Sequence, residues 1–178
     1  SRMVAIFAYA LADYFGLPDT EKRDILQAGF LADIGKEIVP HHLLNRMGNL
    51  GPWELDIVKT HPVEGARSLR KMGYDNENMI RIVHHSHENF NGTGYPDGLE
   101  QDEIPLGSRI VAVADAYDAF ISWRPYRDPW ERHVALDEIE HRALLLLTNL
   151  EILRALFGRA SAEQPLEKLP GIHLGRER

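Results

Sequence analysis

Apolar residues return every three or four positions along most of this chain, and nowhere do they alternate long enough to predict a strand. The opening SRMVAIFAYALADYFGL is apolar almost all round, with Arg2 and Asp13 its only charges, and predicts a buried helix. It lacks an N-cap and starts in mid-pattern, so the expectation is a helix cut from a longer one, in a chain that is a piece of a larger protein. Asp19 and Thr20 are placed to cap a second helix with the stripe Ile25, Ala28, Leu31, Ala32, which Gly35 ends. A short helix over 40–46 follows, and Pro52 suits the first turn of another. His61-Pro62 interrupts the pattern, which resumes from Val63 to Met72 and stops at Gly73. Asp75 opens a helix that sets Ile80, Val83, His84 and His87 on one face.

Residues 89–104 hold Gly92, Gly94, Pro96 and Gly98 and predict a long loop, a feature that in compact domains often carries function. Pro105 opens a further helix with the stripe Ile110, Val113, Ala114, Tyr117. Asp128-Pro129 starts one that runs through Leu144–Leu147, and a last helix covers 149–157. Beyond Gly158 the pattern decays into a tail. The predicted class is all-α, with one helical domain over 1–157 and a C-terminal tail over 158–178. Four successive leucines cannot all face inward on one helix, which points to a homodimer contact for part of that surface.

Composition narrows the function classes. The 178 residues are 44% apolar, enough for a real core, and the net charge of −7 argues against a broad surface for a nucleic acid polymer. There is no cysteine, which removes disulfides and thiolate metal sites and fits a reducing, cytoplasmic setting. No apolar run is long enough to span a membrane.

Imidazoles and carboxylates are the remaining metal donors, and together they suit iron, manganese or zinc. The candidates are Asp33, His61, His84, His85, His87 and Asp115, from four separate stretches that only a bundle-like fold would join. Asp115 sits in the nearly apolar RIVAVADAYDAF, where an unpaired carboxylate is costly to bury. It is either a ligand or a group paired with an arginine or facing water at the helix edge. A lone histidine is more often a hydrogen-bonded core or surface group than a ligand, and His41, His42, His133, His141 and His173 take that ordinary reading. Gly92-Thr93-Gly94 follows a helix, not a strand, and is no dinucleotide fingerprint.

The segments ADIGK (32–36), KTHP (59–62), SHENFNGTGYPDG (86–98), EIPLGSRIVAVADAYDAF (103–120) and RPYR (124–127) together resemble the HD-GYP family of HD phosphohydrolases. The resemblance covers residues 1 to about 140 and implies an all-α HD bundle with a long GYP loop. It also implies two or three divalent metals, often iron or manganese, and hydrolysis of cyclic di-GMP.

Carried over residue by residue, the family's His-Asp pair falls on Ala32 and Asp33, so its histidine is missing. Lys36 matches the lysine that contacts substrate phosphate, and His61 the next ligand. The two adjacent histidines before a glutamate fall on Ser86 and His87, so a second imidazole is missing. Asp115 matches the last carboxylate ligand. Tyr95 is the tyrosine of the GYP motif, and Arg124 and Arg127 are the basic pair that binds substrate. One further family histidine would precede Ser1.

The resemblance thus implies a preserved substrate side, Lys36, Tyr95, Arg124 and Arg127, and an eroded metal side, Asp33, His61, His87 and Asp115. The family's hydrolysis uses water made acidic by two cations at once, so partial or absent metal occupancy would remove most of the rate. The expectation is a degenerate HD-GYP domain that senses a cyclic dinucleotide or docks a protein partner through the GYP loop. The alternatives are an active phosphodiesterase in which His84 or His85 replaces Ser86, and a structural or dimerising domain. His84 lies one helical turn before His87, about 4–5 Å away along a helix, which predicts packing beside Ile80 and Val83 and not ligation.

Overall fold

The structure, a computed structural model, describes residues 1–46, 48–122 and 128–142. Eight α-helices are present among them: α1 (Arg2–Tyr14), α2 (Asp19–Leu31), α3 (His41–Leu44), α4 (Pro52–Val58), α5 (His61–Lys71), α6 (Glu77–His84), α7 (Leu106–Ile121) and α8 (Arg132–Arg142). Short 3-10 turns cover Ile34–Ile38 and Gln101–Glu103. No strand occurs among the described residues. A single bridge, Asn91 to Glu100, pins the base of the long loop.

The apolar first segment is a central helix. α1 packs on α2 along one side and on α7 along another, which is why Val4 to Ala8 and Ala10 to Ala12 are all buried. The α1–α2 crossing is tight. A Cβ on Gly29 would sit 2.9 Å from the Ala5 Cα, so only glycine admits this approach. α6 turns Met79, Ile80, Ile82 and Val83 into the same core, against α2, α5 and α7. Complete burial of such side chains contributes about 1.5–3 kcal/mol each.

Several helix ends differ from the expectations. Asp19 and Thr20 are not caps: Pro18 precedes the helix, and Asp19 is its first residue, ion-paired with Lys22 at 2.8 Å. Gly35 does not end α2, which stops at Leu31. It lies inside the 3-10 turn because a Cβ there would collide with the His61 carbonyl and the Gly65 amide of α5. His61-Pro62 does not interrupt a helix but begins one, since proline's missing N–H costs nothing in a first turn. Asn76, not Asp75, caps α6, its Oδ1 accepting the Met79 amide at 3.0 Å. The placement of His84 and His87 on one helical face fails. α6 ends at His84, and His85 takes φ −101 and ψ 16, so His87 lies beyond the helix. The helix expected from Asp128-Pro129 starts at Arg132. Leu144–Leu147, the helix over 149–157 and the tail lie outside the described residues, as do Arg124 and Arg127.

Candidate metal and nucleotide site

Three elements deliver donors to one point. Asp33 stands between α2 and the first 3-10 turn. His61 is the first residue of α5. His87 lies three residues beyond α6. Their ligand atoms all fall within 4.8 Å of one another. His61 is 1% exposed; Asp33 and His87 are half-buried at the rim. His61 Nδ1 lies 2.8 Å from the Val58 carbonyl and, as the N–H tautomer, donates to it. That leaves Nε2 with its lone pair, facing His87 Nε2 at 3.0 Å. Two imidazole nitrogens can approach so closely by sharing one proton or by sharing one cation.

The electrostatics favour uncharged imidazoles. Burial lowers the His61 pKa, and Lys36 lowers it further, against the opposing Val58 bond and Asp33 charge. His87 is pushed down to about 4, first by burial and then by His61 and Lys36. Burial acts to raise the Asp33 pKa, but Lys36, whose Nζ is 2.6 Å from Asp33 Oδ1, outweighs it and holds the carboxyl below its ordinary range. Near neutral pH the cluster therefore offers one carboxylate and two neutral imidazoles. One of the imidazoles is oriented by a backbone carbonyl, as ligating histidines generally are. This donor set fits a divalent cation with water in the remaining positions.

Asp115 is half-buried on α7 and stands outside the three-donor group, yet it belongs to the same neighbourhood. Its charge, with that of Asp33, adds to burial in pushing the Tyr95 phenol up to about 12. Tyr95 stacks flat on His87, with ring centroids 5.1 Å apart and planes 3° from parallel, and its amide donates to the His87 carbonyl at 3.1 Å. Lys59 Nζ lies 5.6 Å from the Tyr95 ring centre, within cation–π range. The GYP loop thus lays an aromatic wall on the candidate cation site, with Lys36 paired to Asp33 and Lys59 over the Tyr95 ring.

Ala32 and Ser86 bring no imidazole to this cluster. Ala32 is 8% exposed and packs in the core beside Ala28. Ser86 is 3% exposed, and its hydroxyl donates back to the Val83 carbonyl at 2.9 Å. His84 and His85 turn instead toward Asp97, at 3.1 Å and 3.5 Å, and form a separate group.

Glu88 was not among the sequence candidates, though it organises the loop. Its side chain is fully buried. Oε1 accepts the Asp97 amide at 2.7 Å and the Gly98 amide at 3.1 Å, and Oε2 accepts the Leu99 amide at 3.2 Å. The available signal was the loop itself: a long glycine-rich turn needs acceptors for its amides, and Glu88 is the carboxylate at its entrance.

Comparison with known proteins gives the family. The model of the HD domain family matches residues 1–146. The chain belongs to that family, in its HD-GYP branch. It is 41% identical over 133 residues to the cyclic di-GMP phosphodiesterase PA4108 of Pseudomonas aeruginosa, covering 75% of this chain and 32% of that protein. It is 38% identical over 159 residues to the cyclic di-GMP phosphodiesterase response regulator RpfG of Xanthomonas campestris pv. campestris, covering 86% of this chain and 41% of that protein. Among solved structures, the HD-GYP-type protein Bd1817 of Bdellovibrio bacteriovorus superposes with a TM-score of 0.73 at 23% identity, over 90% of this chain and 51% of that one. The chain thus spans less than half the length of the two curated relatives. Among the described residues, no helix is long and apolar enough to cross a membrane.

Proposed function

We propose that this HD-GYP domain is a cyclic-dinucleotide module, for cyclic di-GMP or a related nucleotide, whose site has been reduced to one cation and whose phosphodiesterase activity is weak or lost. The observation that carries the reading is the donor inventory. Asp33, His61 and His87 converge on one point, while two of the positions where motif spacing puts further family imidazoles are a core alanine, Ala32, and Ser86, whose hydroxyl bonds back to Val83. Asp33, His61 and His87 would hold the cation, with Asp115 at the pocket's edge. When bound, a divalent cation supplies Lewis-acid charge to a phosphate oxygen. Lys36 and Lys59 would neutralise the phosphates and the Tyr95 ring would contact the nucleotide, with Arg124 and Arg127 as the further basic pair. None of these groups needs a second metal, so nucleotide binding can outlast fast hydrolysis. Replacement of Ser86 by His84 or His85 finds no support, because both imidazoles group with Asp97 and not with Asp33, His61 and His87.

The test combines cation analysis, cyclic di-GMP binding by equilibrium dialysis and a hydrolysis assay on the wild type and Asp33→Asn. The expected result is one cation lost in Asp33→Asn, nucleotide bound, and little linear product. Two cations both lost in Asp33→Asn, with rapid turnover, would establish an active phosphodiesterase instead. Absence of any nucleotide binding would leave a structural domain.

A further inference from the structure

The segment His84-His85-Ser86-His87 divides its imidazoles between two places, and only His87 joins the Asp33 cluster. His84 closes α6, and His85 leaves helical geometry immediately after it, so two adjacent side chains turn to the same partner, Asp97 of the GYP loop. His84 Nε2 is 3.1 Å and His85 Nδ1 3.5 Å from the same oxygen, Asp97 Oδ2, and the three ligand atoms lie within 4.8 Å of one another. Donors bound to one tetrahedral ion at roughly 2.0–2.1 Å stand about 3.3–3.5 Å apart, so little rearrangement is needed.

A second observation points to a ligand. His85 Nδ1 is buried, and among the described residues it has no hydrogen-bond partner. Buried polar nitrogens are rarely left unpaired, and an orphan of this kind calls for a missing water or ion. Glu88 Oε1 lies 3.9 Å from it but is already committed to the Asp97 and Gly98 amides.

We infer that His84, His85 and Asp97 form a second divalent-cation site, for a borderline ion such as zinc, cobalt or nickel, that ties the end of α6 to the GYP loop. Two imidazoles and one carboxylate favour these ions over magnesium or calcium, which prefer all-oxygen sites. Such an ion is a staple. Asp97 follows Tyr95 by two residues, so fixing it steadies the ring stacked on His87. The site is independent of the reading of the Asp33 cluster and uses none of its residues.

The experiment is a titration of chelator-treated protein with Zn²⁺ by calorimetry and with Co²⁺ by visible d–d absorption. Amide exchange is followed over residues 89–98. The proteins are the wild type, Asp33→Asn, the double variant His84→Ala/His85→Ala, and Asp97→Asn, whose carboxylate is half exposed and whose replacement spares the loop's amide bonds to Glu88. In Asp33→Asn, Zn²⁺ and Co²⁺ still bind and amide exchange slows in the loop. In Asp97→Asn, affinity at this site falls at least about tenfold, the loss typical of disturbing even an outer-shell partner. In the double variant the event vanishes. If Asp33→Asn binds no Zn²⁺ or Co²⁺ below millimolar concentration, or if Asp97→Asn and the double variant match the wild type, the second site does not exist. Neither result bears on whether Asp33, His61 and His87 hold an ion.

Discussion

Replacing Glu88 tests whether one buried carboxylate holds the GYP loop in place. Its two oxygens accept three amides, from Asp97, Gly98 and Leu99, at 2.7, 3.1 and 3.2 Å. A hydrogen bond to a charged group contributes about 1.5–3 kcal/mol net, which would sum to roughly 5–9 kcal/mol for three. That total is too high here. Asp97 and Gly98 are exposed residues, so their amides regain water once the acceptor is gone. Discounting those two to ordinary neutral bonds leaves about 2.5–6 kcal/mol for Glu88→Ala. Glu88→Gln keeps one acceptor oxygen, which can serve the paired Asp97 and Gly98 amides, but sets an NH₂ against the Leu99 amide. Its expected cost is about 1–2 kcal/mol. Urea unfolding followed by circular dichroism gives the stability, and amide exchange at residues 97–99 gives the local effect. The prediction is an ordered series, wild type above Gln above Ala, with faster exchange at those three amides in both variants. A Glu88→Ala protein within about 0.5 kcal/mol of wild type, the range of ordinary surface substitutions, with unchanged amide protection would refute the anchoring role.

Other consequences are equally direct. On the one-cation reading, Asp33→Ala should abolish cation binding at the cluster with His61 and His87, whereas His84→Ala should leave it unchanged, as measured by metal analysis after titration of that site. Gly35→Ala drives a Cβ into the His61 carbonyl and the Gly65 amide, so it should cost about 1–3 kcal/mol in urea unfolding, typical of overpacking, and weaken the site through His61. The folded state depresses the His61 and His87 pKa values, the latter to about 4, so the unfolded chain binds more protons below the ordinary histidine value of 6.5. Metal-free protein should therefore hold the full contribution of these groups above that value and lose it as pH falls toward 4, with a shallower loss in His87→Phe. Tyr95→Ala removes the ring stacked on His87 and should weaken cyclic di-GMP binding about 5- to 150-fold in equilibrium dialysis, equivalent to roughly 1–3 kcal/mol of base stacking, without changing cation content.

The helical class and most of the core were readable from periodicity because helices buried on one broad face announce themselves. The stripes Ile25–Ala28 and Ile110–Val113–Ala114–Tyr117 lie in the core as expected. Helix ends were less legible, because a terminus is decided by what the chain meets next. Proline 62 reads the same whether it breaks a helix or starts one. Gly35 looks like a stop signal, yet it is a contact residue whose reason lies in α5, some thirty residues away in sequence. The cluster of Asp33, His61 and His87 was accessible only through motif spacing, since no local pattern links residues from three elements. Glu88 escaped notice because its partners are backbone amides, which have no signature in the residue alphabet.

The segment from His84 to Glu88 shows why one misplaced helix end alters the chemistry. Had α6 continued one more turn, His84 and His87 would share a face and His84 would be the natural heir to the position of Ser86. The helix instead ends at His84, and the turn through His85 sends consecutive side chains to opposite purposes. His84 and His85 reach Asp97, Ser86 returns to the Val83 carbonyl, His87 meets His61, and Glu88 collects the amides of the returning loop. Four of these five successive residues thus touch the loop, which places Tyr95 against His87. A substitution at Ser86 would act first on this turn: Ser86→His must bury an imidazole where a 3% exposed hydroxyl now sits, among Val83 and its neighbours. On the one-cation reading, that single change should therefore cost about 1–3 kcal/mol of stability, typical of overpacking, and give no rapid hydrolysis while Ala32 offers no imidazole. Wild-type stability with family-like turnover in Ser86→His would show that the pocket is poised for two metals, contrary to the one-cation reading.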